Sequence, residues 1–266
     1  MQKHLLLRAK ILCLLLGAIG SQPTLACGEQ LNKSQLQKIG KQIFRNECNA
    51  KAECLVDWNV GEDFPSLGIG HFIWYPRGVE RGFVESFPLL IDFLIQRGDP
   101  LPEWLTDLQP FDAPWQDREE FLQRKNSEEV NSLRLFLLQN QDQQTAFMLQ
   151  RMQRSLAQIV ESTPNKLRPK VQHNLDNLCQ SHRGIYPLID YVNFKGEGLS
   201  PTETYKGQGW GLKQVLMEME SDNDPVYHFQ QAATKVLTRR VNNANKSIER
   251  KWLKGWKIRL RTYTDF

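Results

Sequence analysis

The chain lacks most signatures that assign an enzyme class at sight. Its histidines form no His-Glu-x-x-His pair and its cysteines follow no zinc-ligand spacing, so no metal is implied. There is no Gly-x-Ser-x-Gly elbow and no phosphate-binding loop, so neither serine-hydrolase chemistry nor a nucleotide is indicated, and no cofactor is implied. The apolar run Ile11 to Ile19 is too short to cross a bilayer. No internal repeat, low-complexity tract or domain linker breaks the chain, which reads as one domain. Charge of one sign is not in excess either: 34 Lys and Arg face 30 Asp and Glu, a net +4. Nucleic-acid binding therefore has no support outside one basic stretch near the carboxyl end.

What is present begins with an export signal over residues 1–26. Lys3, Arg8 and Lys10 precede or enter the apolar run, and Thr24-Leu25-Ala26 closes it like a cleavage site. Its removal takes the net charge from +4 to +1. The reading taken is a periplasmic or secreted protein over residues 27–266. Leu25-Ala26-Cys27 also resembles a lipoprotein site, and a membrane contact is expected only if Cys27 is lipidated. Four cysteines remain after cleavage, Cys27, Cys48, Cys54 and Cys179, and an even number in an oxidising compartment suggests two disulfides. Of the three pairings, Cys48–Cys54 with Cys27–Cys179 would pin the segment after Glu47 and tie the amino end to a later helix.

Two local patterns carry chemistry. Leu36, Ile39, Ile43 and Glu47 recur at three- and four-residue intervals, so Glu47 continues the apolar stripe of a helix and should point inward. Lost hydration there would raise its pKa and keep it protonated as a general acid; a solvated glutamate held by Arg45 or Lys51 is the alternative. Downstream, Ser66-Leu67-Gly68-Ile69-Gly70-His71 read as a strand sends Ser66, Gly68 and Gly70 to one nearly bare face, a floor for a polymer. A tight bend is the other reading of Gly-x-Gly.

Taken together, Ile43-Phe44-Arg45-Asn46-Glu47, Asp57 and Ser66–His71 resemble the catalytic region of phage-type lysozymes, over roughly residues 36–75. The resemblance implies peptidoglycan as partner. It also implies Glu47 as acid, Asp57 as the second carboxylate, Ser66 as the hydroxyl that positions water, and a structural His71. The interval from Asp57 to Ser66 is long for the family and contains Glu62 and Asp63 as competing carboxylates.

Elsewhere the signal is helical. Ser86 before Phe87-Pro88 marks one start, the proline-broken segment from Asp99 to Trp115 reads as loop, and two long apolar stripes run from Ala146 to Val160 and from Leu167 to Leu178. The fold expected is α+β, predominantly α-helical, lysozyme-like, with a small β-hairpin near residues 55–76. Five glycines between Gly196 and Gly211 interrupt a polar and aromatic cluster holding Asn193, Glu197, Tyr205, Gln208 and Trp210. It reads either as the far wall of a sugar cleft or as a turn between core helices. Gly211-Leu212-Lys213-Gln214 is faintly similar to a run of lytic transglycosylases, which would promote Glu197, although Glu197 lies in a glycine-broken loop away from any evident helix end. Gly68, Gly70, Glu62, Glu197, Gln208 and Trp210 are the candidate substrate contacts. From Lys235 to Arg261 ten cations face Glu249 alone, and Val241, Ala244, Ile248 and Trp252 suggest one final helix with solvated charges. The expected function is an exported glycosidase of muramidase type. Its alternatives are a lytic transglycosylase using Glu197 and a non-catalytic wall-binding protein.

Overall fold

The computed structural model describes residues 27–79, 82–220, 223–244 and 248–266, so the expected export segment over 1–26 lies outside the described residues. The first helix, α1 (Lys33–Cys48), starts at a capping box in which Asn32 and Gln35 exchange side-chain to backbone bonds. It buries Ile39, Ile43 and Phe44 and stops where Asn49 takes a left-handed conformation. A 3-10 turn at Ala52–Leu55 leads into an antiparallel sheet, β1 (Val56–Asp57), β2 (Ser66–Leu67) and β3 (Phe72–Ile73), in the order β1-β2-β3. The expected hairpin is thus a three-strand meander.

Four shorter helices follow: α2 (Phe87–Gln96), α3 (Glu103–Thr106), α4 (Arg118–Arg124) and α5 (Glu128–Gln139). Ser86 does stand at the start of α2, but its hydroxyl accepts from the Ile73 amide at 2.9 Å and fastens the helix to β3 without capping it. The long apolar stripes become α6 (Gln141–Glu161) and α7 (Arg168–Cys179), which enter the core as expected. Next come α8 (His182–Lys195), the hairpin β4 (Thr204–Tyr205) and β5 (Gln208–Gly209), α9 (Leu212–Glu218), α10 (Pro225–Asn243) and α11 (Ile248–Asp265). The described residues are mostly helical with two small antiparallel sheets. Among the described residues no helix is long and apolar enough to cross a membrane.

Helix α8 is the axis of the molecule. It touches α1, α6, α7, α9, α10 and α11, and every side chain from Gly184 to Val192 is buried. That run is apolar except for Asp190, so the helix carries one carboxylate into the middle of the helical layer.

Both expected disulfides form, Cys27–Cys179 and Cys48–Cys54. A disulfide at Cys27 and a lipid on the same sulfur exclude one another. Because Cys27–Cys179 closes a loop of 152 residues, replacing both cysteines by serine is expected to cost about 2–4 kcal/mol, read as a lower midpoint in denaturant.

One expectation about the carboxyl end is corrected. Val241, Ala244, Ile248 and Trp252 do not share one helix, because α10 ends at Asn243 and α11 begins at Ile248. Trp252 is exposed, and the buried side of α11 carries Glu249, Trp256, Arg259, Leu260 and Tyr263. Two charges expected in solvent are therefore core residues.

Candidate functional site

Glu47 sits in the last turn of α1, and its side chain is only 14% exposed. The apolar stripe does turn it inward. Its Oε1 accepts from Arg259 of α11 at 2.5 Å, and its Oε2 lies 3.8 Å from His71 Nδ1. Arg259 is shared: its Nε and Nη2 donate at 2.9 Å to the two oxygens of Asp190. Asp190 accepts further from Tyr263 at 2.7 Å and from Asn46 at 3.2 Å. A buried arginine clamped between two carboxylates thus joins α1, α8 and α11. Both Asp190 oxygens and Glu47 Oε1 accept hydrogen bonds, as burial of charge requires, while Glu47 Oε2 has His71 at ion-pair distance.

The electrostatics reverse the expected protonation. Burial does push Glu47 upward, but Arg259 first, then His71 and Lys195, outweigh it and hold the carboxyl below its ordinary range. Glu47 is an anion in the resting protein. The same network raises Arg259 and Tyr263: in Tyr263 burial acts first and the Asp190 charge second, whereas in Arg259 the two carboxylates overrule burial.

A ladder of cations and rings continues from this triad. The Arg259 guanidinium lies 4.1 Å from the Phe194 ring, and on the same ring sits Lys195 Nζ at 3.9 Å. Lys195 Nζ also lies 3.7 Å from the Trp256 ring, which carries Arg240 at 5.1 Å; Arg240 in turn covers Trp210 at 4.0 Å. Arg240 is neutralised by the buried Glu249 at 3.0 and 3.2 Å, and Tyr205 donates to the same carboxylate at 2.7 Å. Lys195 stands between two paired arginines. Burial first, then Arg240 and Arg259, lower its pKa to about 6.

That depression has a sign in stability. An unfolded lysine titrates near 10.4, so between about pH 6 and 10 the unfolded chain holds a proton the folded one lacks, and stability rises with pH across that window. Lys195→Met is therefore expected to stabilise the protein at pH 7. The gain should be about 1–2 kcal/mol after allowance for partial solvent screening, and should shrink towards pH 10 in paired denaturant melts.

The hairpin residues form a second group. Asp57 pairs with Ser66 across the sheet register, but its carboxylate faces Lys125 at 3.5 Å. Ser66 is buried, and its hydroxyl donates to Glu62 Oε2 at 3.3 Å, where Asn59 donates too. Asp63 is exposed. Strand alternation does not extend through the glycines. β2 ends at Leu67, and Gly68 to His71 form a tight turn, with Gly68 at φ +67° and His71 at φ +48°. The expected open floor is filled: a Cβ on Gly68 would stand 2.2 Å from Gln144 Oε1, and one on Gly70 2.4 Å from the Phe72 ring. The turn instead aims His71, whose Nε2 lies 3.6 Å from Cys54 Sγ while Nδ1 faces Glu47. Cys48, Cys54 and His71 have donor atoms within 4.8 Å of one another, but both sulfurs are committed to the disulfide and offer no thiolate.

The glycine-rich segment closes on itself. Leu212 and Lys213 amides donate to Gly196 and Glu197 carbonyls at 3.0 and 2.9 Å. This brings Gly211 so close that a Cβ there would lie 2.2 Å from the Gly198 nitrogen. Glu197 lies two residues beyond the end of α8, half-buried, with Arg151 as its electrostatic partner. Gln208 is exposed and accepts from Asn243 at 3.0 Å. Trp210 is half-buried, stacked under Arg240 with Tyr205 beside it at 4.8 Å. Glu197, Gln208 and Trp210 thus belong to one folded loop whose aromatic side joins the ladder.

The sequence reading missed Asp190, Lys195, Arg240, Glu249 and Arg259. A signal existed for two of them. Asp190 is the one charge in an apolar run, and Arg259 sits on the stripe Trp256, Leu260, Tyr263, the same pattern that singled out Glu47.

Compared with known proteins, the chain matches no family model, and no curated protein or solved structure is significantly similar to it.

Proposed function

We propose that the chain is an exported, lysozyme-like enzyme cleaving peptidoglycan or a related amino-sugar polymer, with Glu47 as the group that protonates the glycosidic oxygen. One observation carries this reading: an inward-facing carboxylate at the end of α1, held by Arg259 and His71 at fixed distances. Such fixing is what proton transfer needs, since a donor must sit within hydrogen-bond reach of the reacting oxygen. The half-buried Tyr205 supplies an aromatic surface for a sugar ring, whereas a face of Trp210 is already taken by Arg240. For the second carboxylate, Glu62 has better support than Asp57, because it receives the Ser66 hydroxyl whereas Asp57 is turned to Lys125. The two disulfides support export, since such bonds persist in oxidising compartments.

A second reading rests on Glu197. Its place just past the end of α8 answers the objection that no helix precedes it, and favours a lytic transglycosylase. Digestion of purified peptidoglycan separates the readings. New reducing ends are expected; 1,6-anhydro ends, lost in Glu197→Gln, would favour the transglycosylase, and binding without any new ends would favour a wall-binding protein.

A further inference from the structure

The ladder Arg259, Phe194, Lys195, Trp256, Arg240, Trp210 contains three basic side chains, and their partners differ. Arg259 is bonded to Glu47 and Asp190, and Arg240 to Glu249. Among the described residues, Lys195 Nζ has two ring faces and no hydrogen-bond acceptor. The N–H donors of this amine, three once it is protonated, are thus left unfilled on a half-buried side chain. The titratable groups around it are Glu47 from α1, Arg240 from α10, and Glu249 and Arg259 from α11. Both arginines favour an incoming anion, while both glutamates are already committed to them.

We propose that Lys195 is a specificity-determining residue that binds a carboxylate carried by a sugar ring, so that the glycan taken by this site is acidic. The sugar half of this statement rests on the glycan reading above; the anion half rests on the unfilled amine between two arginines. Rings beside a basic group suit such a ligand, since an aromatic face takes a sugar ring while the amine takes its carboxylate. Empty, the site sheds the proton as the solution passes about pH 6; filled, it keeps it. Binding and proton uptake are therefore linked.

The test is titration calorimetry on the full chain with two tetrasaccharides, one alternating glucuronic acid with N-acetylglucosamine and one of N-acetylglucosamine alone. Repeating it in buffers of different ionisation enthalpy counts protons. The acidic ligand is expected to bind at least about 10-fold more tightly at pH 6. It should take up about one proton at pH 7.5 and weaken about 10-fold per pH unit above 6. Lys195→Met should remove the preference while leaving the neutral ligand unaffected. Lys195→Arg, a guanidinium that never deprotonates, should keep the preference without proton uptake. Equal binding of both ligands with no proton uptake overturns this inference and leaves the glycan reading standing. Binding of neither overturns both.

Discussion

Glu47→Gln is expected to lower glycan cleavage by about 10²–10⁴-fold, the contribution of a positioned general acid, with substrate binding nearly unchanged. Glutamine keeps the shape and can still accept from Arg259, but it has no proton to give. Because Arg259 retains both oxygens of Asp190, the variant should fold, with near-native circular dichroism and a modest drop in melting temperature. Glu197→Gln in the same assay should keep most of the activity. Activity preserved in the Glu47 variant and lost in the Glu197 variant would transfer the role to Glu197.

Arg259→Met should produce the largest loss of stability. The arginine is 8% exposed and serves two carboxylates, one of them the fully buried Asp190. Removing it leaves Asp190 with only Tyr263 and Asn46, and breaking a buried pair from one side typically costs about 3–5 kcal/mol. Chemical denaturation reads this directly. Arg259 is also the chief group holding Glu47 down, so whatever fraction folds should show the Glu47 carboxyl raised, because burial then acts with less opposition. Carbon NMR of the Glu47 carboxyl as a function of pH would follow this shift, and Arg259→Lys should restore most of it. The network has a matching signature in acid: a carboxylate held below its unfolded value contributes stability above about pH 4.3, and that contribution is lost as pH falls through the depressed value.

Local periodicity was enough to find what one helix presents by itself. The stripe Leu36, Ile39, Ile43, Glu47 placed the carboxylate on the inner face of α1, and cysteine parity gave the number of bridges while leaving three pairings open. The same logic failed at Ser66–His71, where glycines relieve backbone strain: a positive φ at Gly68 ends the strand, so alternation no longer decides which way side chains point. Charge counting failed at the carboxyl end for a different reason. Arg259 and Arg240 look solvated in a run of ten cations, and only the packing of α11 on α8 and α10 brings Asp190 and Glu249 against them. The protonation of Glu47 was missed with them, since its sign depends on an arginine 212 residues away. Residues that act through partners distant in sequence leave little trace in local pattern.

The most direct measurement is the pH dependence of kcat/KM for peptidoglycan cleavage by the wild-type chain. If Glu47 must carry the proton and its free-enzyme pKa is held below the usual glutamate value, the rate should be greatest in acid and fall about tenfold per unit as pH rises through the weakly acidic range. In an Arg259→Lys variant that keeps the charge, the limb should stay near its place. A rate that is flat from pH 4 to 7, or an absence of turnover at any pH, would contradict the assignment of Glu47 as the acid.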